Sequence, residues 1–177
     1  MIELEQLLTQ EDCSACDGCC RYAERESVWT PLFLFDEIVE LTEGNIVPTC
    51  LFTHSAWRQK AAARIDLVQD EGRFFCSCFD VAQNKCKIYP HRPLDCRLYP
   101  FVLARKDKKI YLALDEKCPG AQRRSGTKEM KDYIQYLVKF FASKKTEDLL
   151  KRDPEFVQEY PSGLKFLISL WNYSPSP

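Results

Sequence analysis

Residues 13–20 read Cys13-Ser14-Ala15-Cys16-Asp17-Gly18-Cys19-Cys20, a run with Cys-x2-Cys-x2-Cys-Cys spacing. Six more cysteines follow, at positions 50, 76, 78, 86, 96 and 118, whereas the chain has only two histidines. Thiolate is therefore the soft ligand that this chain offers, and such ligands suit zinc and iron–sulfur clusters. The spacing predicts that Cys13, Cys16 and Cys19 bind a metal ion or a metal cluster, because two-residue gaps can place three thiolates around one small volume.

The overall composition is ordinary for a globular protein. The 177 residues are 45% apolar and 29% charged, with a net charge of -1, which argues against a general nucleic-acid or membrane-surface binder. Acidic residues dominate residues 1–88 and basic residues dominate residues 89–177. We find neither a secretory signal nor a membrane-spanning stretch, so we expect a cytoplasmic protein. Thiols stay reduced there, which favours metal ligation over disulfides.

The chain pattern predicts an α+β fold: a small single domain organised around a cysteine-ligated metal centre, with short β-hairpins plus C-terminal helices. Residues 1–120 would form the cysteine-cluster domain, and residues 121–177 a helical extension packed on it. Turn residues and alternating apolar residues predict hairpins over residues 64–75 and 101–114. Helical spacing and flanking signals predict helices over residues 3–10, 36–43, 128–144, 147–152 and 164–171.

The centre itself is predicted to be a [4Fe–4S] cluster, because three closely spaced thiolates match three corners of such a cube. The fourth ligand of these clusters is often remote and followed by proline, as in Cys118-Pro119. Zinc sites usually pair two Cys-x2-Cys knuckles, and this chain has only the N-terminal run. A multi-zinc or mononuclear iron site stays open. Cys50 lies in the apolar segment Pro-Thr-Cys-Leu-Phe, so we expect it to be a packed core thiol.

Residues 86–101 read CKIYPHRPLDCRLYPF. Together with the N-terminal cysteine run, this segment resembles the CxxCxxCC family, whose members are described as chelating zinc or iron. The resemblance covers roughly residues 13–120 and implies eight thiolate ligands, enough for two four-ligand centres. Either Cys76 or Cys78 matches the family's fifth cysteine, and Cys76 fits its position better. The full implied set is Cys13, Cys16, Cys19, Cys20, Cys76 (or Cys78), Cys86, Cys96 and Cys118.

Two arginines, Arg92 and Arg97, flank Cys96 in the same segment. A guanidinium beside a cluster can donate hydrogen bonds to thiolate sulfurs and raise the reduction potential. Alternatively, it can bind an anionic substrate or a carboxylate of the fold. We therefore take Arg92 and Arg97 as candidate cofactor-binding residues.

Three functions are compatible with these features. The first is an iron–sulfur protein in electron transfer, or the redox partner or accessory of an enzyme. The second is a structural zinc-binding interaction domain. The third is an iron-dependent enzyme, such as a protein-modifying, methylase-like activity. We expect a protein redox partner or protein substrate, and neither nucleic acid nor a membrane as a partner.

Overall fold

The structure, a computed structural model, describes residues 3–16 and 18–172. The protein has the predicted α+β class, with short antiparallel strands and helices. Its chain divides into two units, Met1–Arg97 and Leu98–Pro177. The predicted domain limits, 1–120 and 121–177, follow the cysteine motif rather than this division and stay a prediction. No helix among the described residues has the length and apolarity that a membrane crossing requires.

The first unit consists of short elements. Its helices and strands are α1 (Gln10–Ser14), β1 (Arg21–Tyr22), β2 (Leu32–Phe33), α2 (Phe35–Glu43), α3 (His54–Gln59), β3 (Ala63–Arg64), β4 (Leu67–Asp70), β5 (Arg73–Cys76), β6 (Phe79–Asp80), β7 (Lys85–Cys86) and α4 (Leu94–Leu98), whose last residue begins the second unit. Single 3-10 turns cover Thr49–Leu51 and Tyr89–His91.

Strands β4 and β5 form the hairpin predicted over residues 64–75. Asp70 pairs with Arg73 across a two-residue turn, in which Glu71 and Gly72 have φ of 44° and 79°. Positive φ at both central positions is the type I′ geometry whose twist matches that of paired strands. Strand β1 adds to β5 in antiparallel orientation and completes a three-stranded sheet. Because of this pairing, the residues directly after the N-terminal cysteines lie beside the strand that contains Cys76.

The helix predicted over residues 3–10 is wrong. Residues 3–9 are not helical, and α1 begins only at Gln10. Thr9 and Asp12 form a capping box: the Asp12 amide donates to Thr9 Oγ1 at 3.3 Å, and the Thr9 amide donates to Asp12 Oδ2 at 3.1 Å. Such a box fixes a helix start at the residue after the cap. Cys13 therefore lies within a helix.

The core of the first unit lies between α2, the hairpin and the strands near the cysteines. Helix α2 occupies the predicted position and buries Ile38 and Leu41. The rings of Phe33 and Phe52 meet edge to face, with centroids 5.2 Å apart. The same core includes the side chains of Cys76 and Cys78. The cysteines of β5 and of the following turn are thus held by apolar packing.

The second unit contains a three-stranded antiparallel sheet in the order β10-β9-β8. Its elements are β8 (Phe101–Lys106), β9 (Lys109–Asp115), α5 (Pro119–Arg124), α6 (Lys128–Phe141), α7 (Lys144–Arg152), a 3-10 turn at Pro154–Phe156, and β10 (Leu164–Asn172). The hairpin predicted over residues 101–114 is confirmed, again with positive φ at both turn residues, Asp107 and Lys108.

The predicted amphipathic helix is confirmed as α6. Its buried side chains recur every three or four residues and so form one face of the helix: Met130, Tyr133, Leu137 and Phe141. Helix α7 includes the predicted segment 147–152. The helix predicted over residues 164–171 is wrong, because this segment is strand β10, paired with β9 from Leu164↔Asp115 to Asn172↔Lys109. A short apolar run does not separate helix from strand by periodicity, and here pairing with β9 decides.

Candidate metal centre

The N-terminal cysteine run lies beside β5. The amide of Cys76 donates a hydrogen bond to the carbonyl of Cys20 at 3.1 Å, and the next residue pair, Arg21 and Phe75, is in register between β1 and β5. Cys86 is held near the same strand region, since it pairs with Phe79 in the two-stranded β6–β7 sheet. These backbone contacts bring cysteines about 60 residues apart in sequence to one part of the first unit.

A side-chain bridge reinforces this arrangement. Asn84, in the turn between β6 and β7, donates from Nδ2 to the Ser14 carbonyl at 2.9 Å. Its Oδ1 accepts from Arg21 Nη2 at 2.5 Å, and the Arg21 guanidinium lies 4.7 Å from the ring centroid of Phe79. Asn84 thus joins both ends of the N-terminal cysteine run to the segment that bears Cys86. The sequence analysis missed this residue, whose only signal was an asparagine in a turn.

Tyr22 lies next to the N-terminal cysteine run. It is buried, and its hydroxyl donates to the Cys19 carbonyl at 2.9 Å. Burial raises its pKa strongly, and the thiol groups of Cys76, Cys20, Cys96 and Cys19 raise it further. Cysteines from all three segments therefore act electrostatically on one phenol. The sequence analysis also missed Tyr22, because an aromatic residue two positions after a cysteine carries no distinctive signal.

The thiols influence one another in the same way. Burial raises the pKa of Cys96, and the carboxylate of Asp95 and the thiols of Cys76 and Cys86 add to the increase. Burial likewise raises the pKa of Cys86, with further repulsion from Cys76 and Cys19. Closely spaced thiolates repel, so each deprotonates less readily until a cation is present. Metal binding compensates for this repulsion, because thiolates are the form that coordinates.

Two pairs of cysteines have their side chains in direct contact. The Cys19 residue as a whole is exposed. A hydrogen bond between its thiol and the sulfur of Cys20 raises the pKa of Cys19, and burial of the Cys19 sulfur adds to the increase. The neighbouring thiols of this vicinal pair therefore do not diverge. The thiol of Cys78 similarly contacts that of Cys76 and raises its pKa. Of this second pair, Cys76 is the member that interacts with Tyr22, Cys86 and Cys96.

Cys16 is half-buried, and Gly18 is fitted closely against it. A Cβ at Gly18 would lie 3.3 Å from Cys16 Sγ, tighter than ordinary van der Waals contact. Glycine at this position therefore lets the backbone approach the thiol.

Helix α4 positions Cys96 through anchors on both sides. Asp95 Oδ2 accepts from the Leu32 amide at 2.9 Å, which ties α4 to β2. Buried Glu37 of α2 accepts from the Leu94 amide at 2.7 Å and from Arg97 Nη2 at 3.2 Å. The other oxygen of Glu37 accepts from the Leu34 amide at 3.1 Å. One carboxylate thus joins the first turns of α2 and α4.

The two predicted cofactor-binding arginines differ in their contacts. Arg97 pairs with Glu37 and donates from Nε to the Arg92 carbonyl at 2.9 Å. This is the alternative in which the arginine binds a carboxylate of the fold. Arg92 faces the cysteines, with Nη1 3.8 Å from Cys13 Sγ. A direct role for either residue in cofactor binding stays a prediction.

Cys50 and Cys118 are the two remaining cysteines. Cys50 is exposed, so the expectation of a packed core thiol is wrong. Its segment forms a 3-10 turn at the surface, which overrides the apolar sequence around it. Cys118 is buried in the second unit, where it precedes α5 and its amide donates to the Asp115 carbonyl. Its predicted place in the ligand set stays a prediction.

The cysteine thiols are the main donors that the chain offers to a metal ion or cluster. All ten cysteines lie within the described residues, and none of them is in a disulfide. Within residues 3–16 and 18–172, no three His, Cys, Asp or Glu side chains converge into a ready-made site for one metal ion. The chemistry nevertheless fits zinc or iron, because the interacting donors are thiols and the charge of Arg92 acts on four of them: Cys13, Cys19, Cys86 and Cys96.

The fold and this group of thiols define an α+β protein of the cysteine-rich, metal-chelating class. The family model CxxCxxCC, described as "Putative zinc- or iron-chelating domain", matches residues 12–119. The chain belongs to this family, as the two motifs predicted. Neither a curated protein nor a solved structure matches the chain.

Proposed function

We propose that the gathered cysteines hold an iron–sulfur centre of the [4Fe–4S] type and that the protein acts in electron transfer, as a carrier or as the redox partner of an enzyme. The observation that carries this proposal is the backbone pairing that places the N-terminal cysteine run beside Cys76 of β5 and Cys86 in the neighbouring two-stranded sheet. Iron–sulfur clusters are held by cysteine thiolates, and the chain supplies thiolate in excess of what one zinc ion needs.

Cys13, Cys16 and Cys19 are the proposed first three ligands, because their spacing suits one cube. The fourth comes from Cys76, Cys86 or Cys96, whose thiols interact with this group or with one another. The cysteines left over are the proposed ligands of a second centre. Cys118 lies within the matched residues 12–119, and its place in the ligand set stays a prediction. Cys78 is the proposed spare thiol of its pair, since the contacts to Tyr22 and Cys96 involve Cys76.

The protein's own contribution is to exclude water and to orient the ligands. Tyr22 is buried, and its hydroxyl donates to the Cys19 carbonyl. The Glu37 carboxylate and Asp95 fix α4, and with it Cys96. A bound cluster would supply one-electron chemistry, with a potential set by burial and by hydrogen bonds to sulfur. The same thiols point to a reducing compartment, so we propose a cytoplasmic protein with a protein redox partner or protein substrate.

The decisive experiment is anaerobic purification followed by analysis of iron, zinc and acid-labile sulfide, with the visible absorption spectrum. The proposal expects a brown protein with iron and sulfide in equal amounts, and loss of both in Cys16→Ser. Cys50→Ser is the matched control, because this exposed thiol lies outside the gathered group. Stoichiometric zinc in a colourless protein would reject the cluster and the electron-transfer role.

A structural zinc-binding interaction domain is the second candidate, and one observation favours it. Five strands of the first unit are only two residues long, and so few ladder hydrogen bonds hold little by themselves. Zinc bound by four of the thiols would crosslink the three segments and contribute directly to folding. The same elemental analysis separates this candidate from the iron–sulfur protein.

A further inference from the structure

Arg92 and Arg97 form a matched pair with different surroundings. Both side chains are 9% exposed, and they lie five residues apart on either side of Cys96. Arg97 is bound within the fold, through Glu37 and the Arg92 carbonyl. Its charge is therefore matched by a buried carboxylate.

Arg92 has contacts of another kind. Its guanidinium lies 3.8 Å above the ring centroid of Tyr89, a stacking geometry. Nη2 donates to Gln6 Oε1, and Nη1 points to Cys13 Sγ at 3.8 Å. This side chain thus contacts a thiol, an amide and an aromatic ring. Each is formally neutral while the thiol is protonated.

One donor of Arg92 has no acceptor. Its Nε is buried and makes no hydrogen bond with any described residue. A buried polar group without a partner is destabilising, so its presence in a native fold needs an explanation, such as an acceptor that binds there. The charge of Arg92 also acts on cysteines of all three segments: Cys13, Cys19, Cys86 and Cys96.

We propose that Arg92 is the positioning residue of the metal centre, donating N–H bonds from Nη1 and the unpartnered Nε to ligand sulfurs and balancing their charge, whereas Arg97 pairs with Glu37 of the fold. This inference rests on the proposed metal-binding function, but it does not depend on which metal is native. Gln6 and Tyr89 hold the planar guanidinium in place, and the fixed fork of Arg suits two directed N–H bonds. Residues that orient ligands in this way typically change metal affinity 10- to 100-fold.

The test uses the full chain, stripped of metal and reloaded with Co²⁺ alone under anaerobic conditions. Co²⁺ substitutes for zinc or iron, and its sulfur-to-metal charge-transfer band reports on hydrogen bonding to the thiolates. Arg92→Met removes charge and donors, Arg92→Lys keeps the charge without the planar fork, and Arg97→Lys is the matched control. The measurements are Co²⁺ affinity, by competition with a chelator, and the position of the band.

We expect Arg92→Met to weaken Co²⁺ binding about 10- to 100-fold and to shift the band. Arg92→Lys should recover part of the affinity while the band stays shifted, and Arg97→Lys should keep the wild-type band and lose less affinity than Arg92→Met. Equal affinity and an unchanged band in Arg92→Met would overturn the inference, as would an equal loss in Arg97→Lys. If circular dichroism shows that Arg92→Met does not fold, the band of Arg92→Lys decides. A wild-type chain that binds neither Co²⁺, iron nor zinc rejects the proposed function, and the inference with it.

Discussion

The ion pair between Glu37 and Arg97 gives the sharpest test of how the first unit is built. The Glu37 carboxylate accepts three hydrogen bonds: from the amides of Leu34 and Leu94 and from the Arg97 guanidinium. The exposed fractions of the two charged side chains are 2% and 9%. Burial raises the pKa of Glu37 despite these partners, so the main effect of the pair is to fix α4 against α2 rather than to add much stability.

Removing one partner leaves the other charge buried and uncompensated. We therefore expect Glu37→Leu and Arg97→Met each to lower the free energy of unfolding by about 3–5 kcal/mol, a large share of the roughly 5–15 kcal/mol of an ordinary domain. The double variant leaves no buried charge without a partner, so its loss in free energy of unfolding should be clearly smaller than the sum of the losses of the two single variants. It should not return to the wild-type value, because the buried amides of Leu34 and Leu94 still lack their acceptor, at about 1–3 kcal/mol each.

The assay is urea unfolding of metal-loaded protein, followed by circular dichroism, for the four members of this double-mutant cycle. Glu43→Gln is the control, because this carboxylate lies in the same helix but is exposed, where substitutions usually change stability by less than about 0.5 kcal/mol. Additive effects, or single effects no larger than that of Glu43→Gln, would refute the reasoning that the pair fixes α4.

Three further predictions concern the thiols. Cys76→Ser should reduce metal content more than Cys78→Ser, because the contacts to the other thiols involve Cys76; equal metal loss, measured by elemental analysis, would contradict this assignment. Gly18→Ala should weaken metal binding about tenfold in a chelator titration, since the new Cβ would displace Cys16 Sγ, and an unchanged affinity would show that this thiol is not a ligand. Removing the metal should lower the Tm of the first unit by at least about 10 °C. The reason is that a ligand at about 100 times its Kd contributes about 2.7 kcal/mol, and 1 kcal/mol corresponds to about 4–8 °C in a domain of 60–100 residues. An unchanged Tm in a calorimetric scan would show that metal binding is not coupled to folding.

Local patterns predicted the elements whose cause is local. The two hairpins follow from turn residues that accept positive φ, as at Glu71-Gly72, and α6 follows from apolar residues at helical spacing. The cysteine spacing and the segment of residues 86–101 were enough to identify the family, since ligand type and motif are properties of the sequence itself. Those features need no knowledge of which distant segments meet.

Contacts between distant segments decided the rest. Leu164–Asn172 is a strand because β9 offers it an edge, and an apolar run of that length carries no helical or extended preference of its own. Arg92 and Arg97 look equivalent in sequence, yet only the fold places Glu37 beside one and the Cys13 thiol near the other. Tyr22 and Asn84 joined the site without any sequence signal, because their roles depend on partners more than 50 residues away, which only tertiary folding brings together. The sequence thus determined that thiolate is the ligand, whereas the tertiary structure decided which thiols and which charges share one environment.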